Sequence, residues 1–128
     1  MTTPTPTEGE LAILRVLWHK AAPATVHEVH AELLRSKDTA YTTVLKMLSI
    51  MHEKGLVQRD ESERRHRYLP LYQETAVQSS MLKDFVRNAF AGSAFKLVQS
   101  ALNSGAATDQ ELDDIARLIA EAKARRTD

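Results

Sequence analysis

Apolar residues recur at helical spacing in three short stretches of the first half of the chain. The first follows Thr7, which with Glu10 has capping-box spacing. Leu11, Leu14, Val16, Leu17 and Trp18 come next, so a helix is predicted over about 7–19. Ala21-Ala22-Pro23 breaks it. Thr25 and Glu28 repeat the capping spacing, and Val26, Val29, Leu33 and Leu34 supply the apolar side of a second helix. A polar connection over 36–39 leads to a third, where Tyr41, Val44, Leu48 and Met51 form a narrow apolar stripe. Gly55 stands where a helix closing on a left-handed residue favours glycine. The opening residues, MTTPTP, have nothing to bury and are predicted to be a loose arm.

The pattern then changes period. Residues 56–59 and 66–71 read as short strands around a charged tip, Asp60-Glu61-Ser62-Glu63. Alternation puts His66 and Tyr68 on one face of the return strand, which makes His66 structural, and Arg65, Arg67 and Leu69 on the other. Pro70 suits the end of an edge strand. Three helices followed by a hairpin with a basic return strand is the layout of a winged helix-turn-helix, in which the third helix enters the major groove.

Pro70 to Gln73 marks a predicted boundary, giving a winged-helix domain at 1–72 and a helical region at 73–128. Beyond it, Met81, Leu82, Phe85, Val86 and Phe90 mark one helix that stops near Gly92. Phe95, Leu97, Val98 and Leu102 mark a second, ending before Asn103-Ser104-Gly105. Thr108 and Glu111 form a third capping box, opening a last helix with Leu112, Ile115, Leu118 and Ile119. Three amphipathic helices of this size cannot bury their stripes alone, and a second copy of the chain is the economical partner. Phe85, Phe90, Phe95, Val98 and Leu102, with the four apolar residues of the last helix, are therefore read as core and dimer contact rather than a ligand pocket. The fold class is mainly α.

Composition narrows the chemistry. The 128 residues hold no cysteine, which rules out disulfides and thiolate metal sites and fits a cytoplasmic protein. No apolar run has the length of a membrane span and no signal segment opens the chain, so no membrane insertion is expected. The 17 basic and 17 acidic residues cancel, which forbids strong long-range attraction to nucleic acid but not a basic face. Such a face is present at Arg64-Arg65-His66-Arg67, while acids gather elsewhere, at Asp109, Glu111, Asp113 and Asp114.

Thr42, Thr43, Lys46 and Ser49 fall opposite the apolar stripe of the third helix, on a side read as free of carboxylates. Hydroxyls and a lysine on the front turns of a helix reach base edges and phosphates. The plainer reading is a solvated face; the neighbouring wing favours DNA contact by Thr42, Thr43 and Lys46. Arg64, Arg65 and Arg67 would meet phosphates, although charge on a strand edge also serves to block edge pairing. His27 and His30 are three apart on a helix without a third ligand nearby, so neither a metal nor any other cofactor is expected. Lys123, Arg125 and Arg126 are accounted for by the dipole of the last helix. No nucleophile with a positioned base, phosphate loop or metal cluster points to an enzyme. A winged helix serving only protein interaction is the remaining alternative; a basic wing beside an acid-free helix front argues against it.

Several stretches, in order and over nearly the whole chain, resemble the penicillinase-repressor family, the BlaI and MecI group of transcriptional repressors. They are ELAILRVLW at 10–18, YTTVLKML at 41–48, EKGLV at 53–57, HRYLPL at 66–71, FAGSAFKLVQSAL at 90–102 and TDQELDDIARLI at 108–119. The resemblance implies a homodimer on dyad-symmetric operator DNA, with the N-terminal domain reading DNA and the C-terminal helices joining the subunits. It also implies release through a membrane-bound zinc metalloprotease sensor that leads to repressor cleavage. Two departures stand out. Ile50 occupies a position where well-known members carry arginine. The Asn-Phe bond cut in antibiotic-responsive members corresponds to Ser100-Ala101. The cysteine pairs of copper-responsive relatives have no counterpart.

Overall fold

The computed structural model describes residues 3–127. Its elements run α1 (Glu8–Lys20), β1 (Ala24–Thr25), α2 (Val26–Leu33), α3 (Tyr41–Lys54), β2 (Val57–Asp60), β3 (Arg67–Pro70), α4 (Glu74–Ala89), α5 (Ala94–Asn103) and α6 (Asp109–Thr127). Two compact units are present, one ending at Lys83 and the other beginning at Asp84. The signal at 70–73 marks the end of the wing. The compact unit itself runs on into α4, where Val77 is buried.

Both predicted capping boxes at the front of the chain are formed. Thr7 Oγ1 accepts from the Glu10 N–H at 3.2 Å and Glu10 Oε1 accepts from the Thr7 N–H at 2.8 Å. Thr25 and Glu28 repeat the pair at 3.2 and 2.9 Å. α1 closes on Ala21 at φ 55°, a left-handed residue with a side chain, whereas α3 closes on Gly55 at φ 79°. α1, α2 and α3 pack on one another, and the wing strands close the domain against α1 and α3. Ile13, Leu14 and Leu17 of α1, Val29 of α2, Val44, Leu48 and Met51 of α3, and Tyr68 of β3 form the centre of the core. A Cβ on Gly9 would stand 2.7 Å from Met47 Cε, the movable tip of a side chain from α3, so the glycine leaves room for that methionine.

Four expectations need correction. The return strand is no edge: the sheet order is β1-β3-β2, all antiparallel, with Arg67 paired to Thr25 on one side and Asp60 on the other. A two-residue stub such as β1 is too short to show a period. The arm is docked over its described part: Pro6 is buried and the Thr3 carbonyl accepts from Ser80 Oγ at 3.2 Å. Met1 and Thr2 lie outside the described residues. Leu34 is exposed as the C-cap of α2, past the last turn that faces the core. Tyr41 leaves the apolar stripe: it is exposed, although Val44 in the same turn is buried, and its ring meets the His30 ring at 5.6 Å in a T-shaped contact.

In the second unit, α5 and α6 have no buried residue among those described. Phe85 and Phe90 meet edge to face at 5.5 Å around the end of α4. Gly92 turns the chain at φ 82°, and Ser93 caps α5 by accepting from the Lys96 N–H at 3.1 Å. Phe95 and Leu118 are 74% and 62% exposed, and Val98, Leu102, Leu112 and Ile119 are exposed with them. Phe90 and Ile115 are half-buried.

Candidate nucleic-acid interface

α3 carries three kinds of surface, and the 100° turn per residue separates them. Val44, Leu48 and Met51 are fully buried and fix the inner face. Thr42, Lys46, Ser49 and Glu53 lie roughly opposite. Thr42 and Lys46 are exposed, while the Ser49 hydroxyl donates to the Leu45 carbonyl at 3.0 Å and is spent on the helix itself. Glu53 is exposed on the same outward stripe. The expectation of an acid-free outer face therefore holds only for the first turns of α3. Ser49 and Glu53 are one helical turn apart, so the sequence itself carries this acid on the outward stripe.

The flanks differ from each other. Thr43 is exposed but turns toward α1, where it lines a groove of about 320 Å³ with Gly9, Ala12 and residues 36–40. Tyr41 and Leu45 turn the other way, toward the wing. With Arg64, Arg65, His66, Val26 and His27 they line a cleft of about 410 Å³. Ile50 is exposed beside the outward stripe.

No side chain caps the start of α3, where Ala40 holds the N-cap position. The preceding Thr39 carbonyl lies 2.7 Å from His30 Nε2, which donates because a carbonyl only accepts. His30 thus holds the entry to α3 through its ring contact with Tyr41 and its nitrogen together. His27 stands apart from this contact, on the cleft wall. His66 is exposed ahead of β3 while Tyr68 is buried, and both line the cleft beside α3, so the shared face holds but His66 is no core residue.

Within the hairpin most charge is already matched. Arg59 pairs with Glu61 at 2.8 Å, and Arg67 lies 3.9 Å from both Glu63 and Glu28. Asp60 Oδ1 accepts from the Ser62 N–H at 2.9 Å, which holds the Asp60 carboxyl below its ordinary range. Among the described residues Arg64 and Arg65 make no ion pair, and both are exposed. Four arginines against three carboxylates leave 59–67 one positive charge in excess, concentrated on these two side chains.

Two ion pairs brace the domain behind this surface. Glu28 accepts from Lys20 at 2.6 Å and from the Thr25 N–H, which together lower its carboxyl to about 2. Burial would raise the Glu10 carboxyl, yet hydrogen bonds from Lys54 and the Thr7 backbone outweigh it and hold the group lowered. Trp18 Nε1 donates to the Tyr72 carbonyl at 3.0 Å, securing the chain just after the wing.

Three packed helices, a small antiparallel wing and an outward helix stripe of hydroxyl and lysine define a winged-helix protein of the DNA-binding type. The family described as penicillinase repressor matches residues 6–121, and the chain belongs to it. It is similar to the transcriptional regulator BlaI of Mycobacterium tuberculosis, 32% identical over 117 residues that span 90% of this chain and 83% of the relative. The methicillin resistance regulatory protein MecI of Staphylococcus aureus is 18% identical over 111 residues, 87% of this chain and 89% of that one. Among solved structures, the DNA-binding domain of the repressor BlaI matches with a TM-score of 0.51 at 26% identity, covering 59% of this chain and 93% of that one. A monomeric form of Bacillus licheniformis BlaI in complex with the blaP half-operator gives the same TM-score and coverage at 25% identity.

Proposed function

We propose that the chain is a cytoplasmic, homodimeric transcriptional repressor that occupies a dyad-symmetric operator. One observation carries the reading: the groove-side surface of α3 and the two unmatched arginines of the wing lie on one domain of a repressor family. The family and its named relatives are regulators, not enzymes. Thr42 and Lys46 reach base edges and phosphates, Thr43 touches the backbone from the α1 flank, and Arg64 and Arg65 clamp phosphates beside the wing. Arg67 acts partly through its neighbours, since two carboxylates share its charge.

Dimerisation is supported by the apolar surface left uncovered on α4, α5 and α6, which includes Phe85, Phe95, Val98, Leu102, Leu112, Leu118 and Ile119. Phe90 and Ile115 extend it. The complex of a monomeric relative with a half-operator supports a reading of one half-site per chain and two chains for the full dyad. The functional division then follows the sequence boundary, DNA reading before residue 73 and subunit joining after it.

Release by a membrane-bound zinc metalloprotease sensor is the family-derived part of the proposal. The Ser100–Ala101 bond is exposed but sits inside α5. There the Ser100 carbonyl accepts from the Ser104 N–H and the Ala101 carbonyl from Ser104 Oγ. A protease cutting there must first unwind the end of that helix.

The test is fluorescence anisotropy of the full chain on its own upstream DNA, across a salt series and with random competitor. Binding saturating at two chains per dyad, and weakening steeply with salt, is the expected result. Affinity equal to that for random DNA at every salt would replace this reading with that of a protein-interaction domain.

A further inference from the structure

Tyr41 and Leu45 are four residues apart on α3, so their side chains share one flank. They are 43% and 42% exposed, although the inner stripe of the helix is already complete without them. Water is a poor environment for such a pair, and no core residue claims it. The cleft they floor has cationic walls, with Arg64 and Arg65 on the wing side. A double helix entering this cleft presents phosphates at its rim and base edges at its floor. The one apolar group that DNA displays in the major groove is the C5 methyl of thymine.

We infer that Leu45, packed beside Tyr41, covers thymine methyl groups and so sets part of the operator specificity. This rests on the DNA-binding reading above and names the base chemistry which that surface recognises. Thr42 and Lys46, next on the outward stripe, supply polar contacts. Leu45 supplies discrimination in favour of thymine at the positions nearest the wing.

The full chain is titrated by anisotropy against a duplex selected from random sequence. It is then titrated against versions in which each thymine in turn becomes uracil, which deletes only the methyl. The wild-type chain is expected to lose about three- to fivefold in affinity at one or two positions per half-site, the effect of one buried methyl-sized group. Leu45→Ala binds the thymine duplex more weakly and shows no uracil penalty at those positions, while Leu45→Met retains it. Because Leu45 is outside the core, both variants keep the wild-type circular dichroism spectrum. Uracil tolerated everywhere by the wild-type chain overturns the inference, as does a penalty of unchanged size in Leu45→Ala. Failure to prefer any duplex over random DNA is a different outcome, which removes the repressor reading and this inference with it.

Discussion

Glu10 Oε1 accepts from Lys54 Nζ at 2.7 Å, tying the last turn of α3 to the first turn of α1. The same oxygen closes the capping box with the Thr7 N–H, so one buried carboxylate orders the start of one helix and the end of another. Lys54→Met is expected to cost about 1–2 kcal/mol in chemical denaturation. That is less than a fully buried pair is worth, since the lysine side chain is partly exposed. Operator affinity should fall with it, because α3 loses the tether at its far end. An unchanged denaturation midpoint would mean that Thr7 alone satisfies Glu10.

Glu28 gives the domain an acid limit. Its carboxyl, lowered from 4.5 to about 2 by Lys20 and the Thr25 N–H, is more acidic folded than unfolded. The stabilisation is therefore complete above about 4.5 and is lost as pH falls toward 2. Glu10, lowered for its own reasons, acts in the same direction. Stability measured from pH 6 down to 2 should decline, and Glu28→Gln should flatten part of that decline. The Gln variant is expected to be less stable than the wild-type chain at pH 6 and to approach it near pH 2. Parallel curves would place the acid sensitivity elsewhere.

Much of this domain was legible in sequence because its signals are local. Capping boxes at Thr7 and Thr25, the stripe through Val44, Leu48 and Met51, and Gly55 each depend on residues within a turn of one another. The parts that escaped depend on distance. β1 exists only because Tyr68 and Arg67 come back to pair with Ala24 and Thr25. Tyr41 looks apolar and in phase, yet it is exposed and meets the ring of His30. Arg67 looks as basic as Arg65 until Glu28, far off in sequence, is brought beside it. The carboxylate at Glu53 belongs to the legible part, since it follows Ser49 by one helical turn and limits the acid-free stretch to the first turns of α3.

Glu53 leads to a charge test. An exposed carboxylate on the outward stripe repels phosphate at roughly 1 kcal/mol or less in a solvated setting. Glu53→Gln should therefore tighten binding by up to roughly fivefold, and equally on operator and random DNA, because the repulsion carries no base information. Improvement confined to the operator would mean that Glu53 accepts from a base, and that its role is readout.

The arginines of the wing should separate in a salt titration. Arg64→Ala and Arg65→Ala are each expected to lower the slope of log affinity against log salt by about one, the release of one phosphate counterion. Arg67→Ala should lower it by less, since Glu28 and Glu63 already share that charge. It should also destabilise the wing slightly, which the other two should not. Equal slopes for all three would mean that DNA draws Arg67 away from both carboxylates on binding.

In the proposed dimer, the subunit contact is the step on which operator affinity would turn. With no net charge on the chain, each half-site gains little from long-range attraction, so tight binding requires both halves to be engaged at once. The second unit leaves Phe95 and Leu118 more exposed than a solitary helical hairpin has reason to keep them. Phe95→Glu and Leu118→Glu should each yield a monomer in analytical ultracentrifugation at concentrations where the wild-type chain is dimeric. Circular dichroism should show the helices retained, as the substitutions remove no core contact. Each variant should still bind a half-site weakly, with the salt slope of one wing and one α3, and should lose the extra affinity of the full dyad. A dimer that persists through both substitutions would move the subunit contact off α5 and α6 together. The exposed phenylalanine at position 85 on α4 would then be the next residue to change.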